Sequence, residues 1–77
     1  MEKEAIEIET PSIKLQQLLK WGGITETGGE AKDFIQDGLV LVNGQVCTQR
    51  GKQIHPGDVV RIADELELTV SEKKNGR

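Results

Sequence analysis

Residues 26–44, with the sequence ETGGEAKDFIQDGLVLVNG, contain the features of this chain that are best suited to chemistry. Gly28 and Gly29 follow Thr27 at the expected start of a helix. The first turn of a helix has free backbone N–H groups and the positive end of the helix dipole, which together attract an anion. Because glycine has no side chain, a phosphate could approach this backbone closely. The pair could equally form a tight turn between crossing helices, and we favour that interpretation for the glycines taken alone.

Metal, nucleophile and acid–base chemistry have few candidates. Cys47 and His55 are the single cysteine and the single histidine, whereas a structural zinc site needs four ligands. We interpret Cys47 as a small buried apolar residue and His55 as a turn residue. Asp64 and Glu65 fall in a predicted turn without the apolar surroundings that shift a carboxyl pKa. We therefore expect no catalytic residue, no metal site, no cofactor and no small-molecule substrate.

Two helices are predicted to position the glycine pair. The first is expected to begin after an N-cap at Ser12 and to end at 22–23, because glycine accepts the left-handed conformation of a helix end. The second begins with a capping box formed by Thr27 and Glu30 and ends at Gly38. The apolar stripes that predict these helices consist of Leu15, Leu18 and Leu19 in the first and Ala31, Phe34 and Ile35 in the second.

Beyond residue 38 the pattern predicts strands. The run LVLV followed by Asn-Gly indicates a two-residue hairpin, which would pair Val42 with Gln45 and Val40 with Cys47. TQRGKQ and HPGD predict a loop and a turn, while VVRI and LELTV predict two further strands, the second with inward-facing Leu66, Leu68 and Val70. The expected fold class is α+β, with a helical hairpin packed on a small, mostly antiparallel sheet.

Length and charge limit the possible functions. A chain of 77 residues forms one domain with a modest core and little room for a deep catalytic pocket. The net charge is −3, but residues 1–11 alone carry −3 and residues 12–62 carry +1, so a basic surface must arise from clustering. A single cysteine, no secretory signal and no apolar run of membrane-spanning length predict a cytoplasmic protein without a membrane partner.

An ordered set of residues within 12–63 resembles the alpha-L RNA-binding motif, a small S4-like RNA-binding domain. The residues that carry the resemblance are Leu15, Leu19, Gly23, Thr27, Ala31, Ile35, Gly38, Val40, Val42, Asn43, Gly44, Gly57, Asp58 and Val60. The likeness is greatest to the small stand-alone bacterial members. It implies an S4-like RNA-binding domain over 12–71, an acidic N-terminal arm or edge strand over 1–11, and a flexible tail over 72–77.

The resemblance implies RNA binding rather than catalysis. The expected partner is structured RNA, either ribosomal RNA or transfer RNA, free or associated with the ribosome, and the chain is expected to be a monomer. In the family the helix pair and the loop after the hairpin form one surface, which would contact phosphates without reading base sequence. The RNA-binding residues predicted on this basis are Lys20, Thr27, Gly28, Gly29, Lys32, Arg50 and Lys52.

Two alternatives stay open. Many family members have arginines where this chain has Gly28 and Gly29, and the central block is close to neutral. Both facts also suit a protein-interaction module of the ribosome or of the RNA-processing machinery, with the acidic arm as a contact. Trp21 could stack on an unpaired base or cover the edge of the core, and we favour the second interpretation.

Overall fold

A computed structural model of the protein describes residues 1–73. The two helices pack on a five-stranded sheet of order β1-β7-β6-β3-β4, and β2 pairs separately with β5. All strand pairs are antiparallel except the parallel pair of β1 and β7. The predicted α+β fold is therefore confirmed. The elements in chain order are β1 (Glu2–Ile8), β2 (Ile13–Lys14), α1 (Leu15–Trp21), α2 (Gly28–Gln36), β3 (Val40–Val42), β4 (Gln45–Val46), β5 (Gln53–Ile54), β6 (Val59–Ile62) and β7 (Leu66–Glu72).

Both helices end at a glycine, as the sequence predicts. Gly23 and Gly38 follow the helix ends with φ angles of +74° and +76°. At the end of α1 the N–H of Ile24 donates to the carbonyl of Leu19 at 2.9 Å, and an equivalent bond closes the end of α2. These bonds form the Schellman arrangement, which satisfies carbonyls that would otherwise lack partners. Within residues 1–73, neither helix is long and apolar enough to cross a membrane.

The start of α1 differs from the prediction, because Ser12 is not its N-cap. The Ser12 hydroxyl donates to Oε1 of Gln53 at 2.8 Å, and Lys14 occupies the cap position without a capping side chain. The reason is tertiary. Ile13 and Lys14 form the short strand β2, in which Ile13 pairs with Ile54 of β5, so the helix can begin only after this pair. Gln53 and Ile54 likewise form a strand at the end of the expected loop.

One buried cluster joins the helices to the sheet. Cys47 is half-buried against this cluster rather than inside it, and Leu66 is half-buried as well, whereas Leu68 and Val70 alternate inward as predicted. Fully burying one aliphatic side chain stabilises a fold by roughly 1.5–3 kcal/mol, so this cluster supplies most of the favourable free energy. Its members are Ile8, Leu15, Leu18, Leu19, Ala31, Ile35, Val40, Val42, Ile54, Val60, Ile62, Leu68 and Val70.

The N-terminal residues form an edge strand. Strand β1 runs parallel to β7, in a register that extends from Glu2 opposite Leu66 to Ile8 opposite Glu72. The backbone N–H of Lys73 also donates to the Ile8 carbonyl at 2.9 Å. The first two residues of the predicted flexible tail therefore contact the sheet, and 74–77 lie outside the described residues.

Two threonines near the start of α2 have contrasting surroundings. Thr27 is the N-cap as predicted, and its hydroxyl oxygen accepts the N–H of Glu30 at 3.1 Å. The Glu30 carboxylate in turn accepts the N–H of Glu26 at 2.8 Å, one residue earlier than in an ideal capping box. Thr25 is buried, and its hydroxyl has no hydrogen-bond partner among residues 1–73.

The same substitution at these two positions should therefore change stability in opposite directions. Thr27→Val removes the cap and should lower the free energy of unfolding by about 1 kcal/mol. Thr25→Val replaces an unpaired buried hydroxyl with a methyl group and should raise that free energy by roughly 1 kcal/mol. Urea unfolding of both variants measures the two values. A loss of stability in Thr25→Val equal to that in Thr27→Val would show that the buried hydroxyl has a partner.

Candidate nucleic-acid interface

The α2 entrance consists of Thr27, Gly28 and Gly29, and its two glycines differ. A Cβ atom at Gly28 would lie 2.8 Å from Nε2 of Gln16, which is the end of a flexible side chain and can move aside. A Cβ at Gly29 would meet only Oγ1 of Thr27, at an ordinary 3.8 Å. Gly28 thus lies against the Gln16 side chain and Gly29 does not, but packing requires a glycine at neither position.

The backbone N–H groups of Gly28 and Gly29 have no acceptor among residues 1–73. Such groups in the first turn of a helix cannot bond within the helix. Because α2 has nine residues, the positive end of its dipole adds to the attraction for an anion. The Glu30 carboxylate in the same turn is bonded to the N–H of Glu26, so it does not occupy the two glycine amides.

Two backbone hydrogen bonds bring the loop after the hairpin to the start of α1. The N–H of Leu15 donates to the Lys52 carbonyl at 2.8 Å, and the N–H of Gln16 donates to the Arg50 carbonyl at 3.0 Å. Gln16 therefore contacts the 50–52 loop through its backbone and lies against Gly28 through its side chain. In this way the structure places the α2 entrance and the 50–52 loop side by side.

Two of the predicted cations lie beside the α2 entrance. Arg50 is exposed in the 50–52 loop, and its backbone carbonyl accepts the N–H of Gln16. Lys32 is half-buried and follows Gly28 by four residues, so it lies on the same face of α2, one turn further along. The structure thus brings together the three residues of the entrance, Lys32 and Arg50.

The other two predicted cations line different depressions. Lys52 lines an open groove of about 490 Å³, together with His55 and Asp58. Lys20 lines a shallow cleft of about 390 Å³ at the end of α1, together with Trp21. The four cations, which the resemblance places on one surface, therefore do not all line the same depression.

Trp21 lies at the surface, at the end of α1. It is 55 % exposed and lines a shallow cleft with Ile13, which packs against the buried cluster. Its indole N–H donates to the carbonyl of Glu7 at 2.7 Å, which ties the end of α1 to strand β1. The interpretation that this ring covers the edge of the core therefore stays a prediction.

Asn43 and Asp58 form a polar cluster in the lining of the groove that no local sequence pattern indicates. The Asn43 amide donates to the Asp58 carboxylate at 3.1 Å, and its oxygen accepts the N–H of Val59 at 3.0 Å. The N–H of His55 donates to the same carboxylate at 2.8 Å. This backbone bond, with help from Asn43 and the charges of His55 and Lys52, holds the pKa of Asp58 below its ordinary value of 3.8, against a smaller opposing effect of burial.

The Asn43–Asp58 cluster links the two turns of the sheet that the sequence treats separately. Asn43 has a left-handed φ of +52°, as the Asn-Gly hairpin turn requires. Its side chain at the same time fixes the start of β6, where the Gly-Asp pair lies. The sequence does indicate each turn, since Asn-Gly and Gly-Asp both belong to the ordered set of residues that resembles the family. Their contact, however, is a tertiary one.

Comparisons with known proteins found similar sequences and a similar fold. A family model described as "S4 domain" matches residues 6–71. The "Probable ribosome maturation protein RlbA" of Bacillus subtilis (strain 168) is 42 % identical over 57 residues, which cover 74 % of this chain and 80 % of that protein. The "Putative RNA-binding protein YbcJ" of Escherichia coli (strain K12) is 40 % identical over 53 residues, which cover 69 % and 76 % respectively.

One solved structure shows the same fold. It is that of the 30S ribosomal protein S4e from Thermoplasma acidophilum, which superposes with a TM-score of 0.61 at 21 % identity. The match covers 71 % of this chain and 29 % of that larger protein.

Asp58 should make stability depend on pH in a predictable direction. Because its pKa is lowered in the folded state, its contribution is complete above pH 3.8 and is lost as the pH falls through the lowered value. Asp58→Asn should lower the free energy of unfolding at pH 7 by roughly 1–3 kcal/mol and should reduce the loss of stability between pH 5 and 2. Thermal unfolding across that range measures both effects.

Asp64→Asn is the matched control, because it removes the same charge at an exposed turn position with a φ of +54°. Asparagine tolerates that conformation well. Equal effects of the two substitutions would mean that the Asn43–Asp58 cluster does not stabilise the fold.

Proposed function

The chain belongs to the S4 domain family, and from this membership and the geometry of the α2 entrance we propose that it is a non-enzymatic RNA-binding module. The observation that carries the proposal is the contact of Gln16 with both Gly28 and the carbonyl of Arg50. It joins free helix amides and a basic loop in one surface. The printed name of the Escherichia coli relative, an RNA-binding protein, supports the same function.

The contacts are made mainly to phosphates. One phosphate docks on the N–H groups of Gly28 and Gly29, where the absence of side chains allows close approach. Arg50 and Lys32 contact the same or a neighbouring phosphate, and arginine can donate two parallel hydrogen bonds to it. Such contacts position the RNA without reading its bases.

The RNA is structured and belongs to the ribosome or to one of its assembly intermediates. The two cations of this surface lie on separate segments, with Arg50 in the loop and Lys32 on α2, so they match phosphates held at fixed spacing better than those of a free strand. The name of the Bacillus subtilis relative, a ribosome maturation protein, favours ribosomal RNA over transfer RNA.

Removing the two cations of the loop should weaken RNA binding and its salt dependence. In the Arg50→Ala/Lys52→Ala variant, the slope of log affinity against log salt concentration should fall by roughly 1 for each lost phosphate contact. Binding of total ribosomal RNA is measured by filter retention at several salt concentrations.

Lys3→Ala/Lys73→Ala is the matched control, because it removes the same charge from β1 and the end of β7. Its salt slope should equal that of the wild type. Equal slopes in all three proteins would place the RNA elsewhere. A partner that remains bound after ribonuclease digestion, with no RNA bound by the wild type, would favour the protein-interaction module instead.

Gly29→Ala separates a structural role from a binding role at the entrance. The position is open and α-helical, so alanine should raise the free energy of unfolding by roughly 0.5–1 kcal/mol. The added methyl group holds a phosphate away from the backbone and should lower RNA affinity about fivefold, the value of one weakened hydrogen bond. Unchanged affinity in this more stable variant would show that RNA does not contact the backbone of Gly29.

A further inference from the structure

The side chain of Trp21 is exposed and yet held in place. It is the single tryptophan of the chain, 55 % of its surface is exposed, and its N–H donates to the Glu7 carbonyl at 2.7 Å. The hydrogen bond fixes one edge of the indole, so the ring loses little further freedom when a ligand packs on its face. An exposed aromatic ring that is already ordered is well suited to stacking.

The parallel pairing of β1 explains why Glu7 can accept this bond. The N–H of Glu2 donates to Glu65, and the carbonyl of Ile8 accepts from Lys73, so the backbone groups of even-numbered residues face β7. Those of odd-numbered residues, including Glu7, therefore face the open edge of the sheet. The indole of Trp21 covers that edge at the end of α1.

The cleft beside the ring has the composition of a nucleotide site. Its volume is about 390 Å³, and it is lined by Ile13, Gln17, Lys20 and Trp21. These residues supply an apolar wall, an amide and one cation, and no carboxylate is among them. The Glu7 side chain lies on the other face of β1 from Ile6, which approaches Gly22 at the end of α1.

We propose that Trp21 stacks on an unpaired nucleobase of the bound RNA, with Lys20 contacting the adjacent phosphate and Gln17 offering its amide to the base edge. This inference rests on the proposed function and extends it, since it requires that the RNA present an unpaired nucleotide near the phosphates held at the α2 entrance. Lys20 lies four residues after Gln16, a distance of about 6 Å along a helix. An RNA strand at the α2 entrance can therefore reach the cleft along α1.

The composition of the cleft argues against a basic peptide as its ligand. A basic peptide would need a carboxylate, which the lining lacks, whereas Lys20 suits a phosphate. A flat base has a stacking face whatever its identity, so this site holds an unpaired nucleotide without specifying its sequence.

Tryptophan fluorescence tests the inference directly, because the chain has one tryptophan and no tyrosine. The probes are an RNA hairpin with an unpaired loop and a fully paired duplex of the same stem, each carrying a terminal dye. Dye anisotropy reports binding, and Trp21 fluorescence reports stacking. We expect both RNAs to bind but the hairpin alone to quench Trp21, and an abasic loop to remove the quenching.

Three variants, compared by dye anisotropy, test how much Trp21 contributes to the affinity for the hairpin. Trp21→Ala should bind the hairpin about tenfold more weakly than the wild type. Trp21→Phe keeps an aromatic face, so its affinity for the hairpin should fall much less. Leu39→Ala is the control, since it shortens another exposed apolar side chain, which lines neither the groove nor the cleft. The quenching result needs no variant, so it decides the question even where Trp21→Ala fails to fold.

The two proposals fail in different ways. If the hairpin binds without quenching Trp21, and Trp21→Ala binds it normally, the stacking site is wrong and the RNA-binding function stands. If neither RNA binds the wild type at any salt concentration, both proposals are wrong. If the fluorescence responds to a ribonuclease-treated protein extract and not to RNA, the cleft binds protein, and the stacking inference is overturned.

Discussion

The arrangement of this small protein depends on how the start of α1 is satisfied. Its first amides have no capping side chain and donate instead to the carbonyls of Arg50 and Lys52. Each bond is worth only about 1 kcal/mol, but together they hold the 50–52 loop against the helical hairpin. They also occupy the amides that could have attracted an anion at α1. The α2 entrance has a capping threonine and two glycines, and the amides of those glycines have no acceptor among residues 1–73.

The same bonds determine where the charges lie. The chain is acidic overall, with a net charge of −3, but residues 1–11 account for −3 on their own. The loop that these bonds hold at the start of α1 contains Arg50 and Lys52 and no acidic residue. A protein with a negative net charge can therefore present a basic loop beside the helical hairpin.

The Asn43–Asp58 cluster has a second effect on this surface. It joins the hairpin turn to the turn before β6 and thereby orders both ends of the groove that Lys52 lines. The charge of Asp58 is held by a backbone N–H and by an amide, so it is already satisfied within the fold. A carboxylate beside Lys52 consequently repels an approaching phosphate less than an unbonded one would.

The sequence by itself determined the elements whose signals are local. Helix ends at Gly23 and Gly38, the cap at Thr27, the hairpin at Asn43-Gly44 and the inward alternation of Leu68 and Val70 each depend on residues close together in the chain, and each was predicted. The ordered set of residues also identified the family. Tertiary structure alone decided the rest.

The β2–β5 pair overrode the cap expected at Ser12, and the parallel register of β1 with β7 placed the Glu7 carbonyl where Trp21 could reach it. The fold likewise placed the Gln16 side chain against Gly28 and not against Gly29. All three outcomes depend on contacts between residues far apart in the chain. The free energy of such a contact depends on which chemical groups the fold brings together. Local propensity and periodicity carry no information on that.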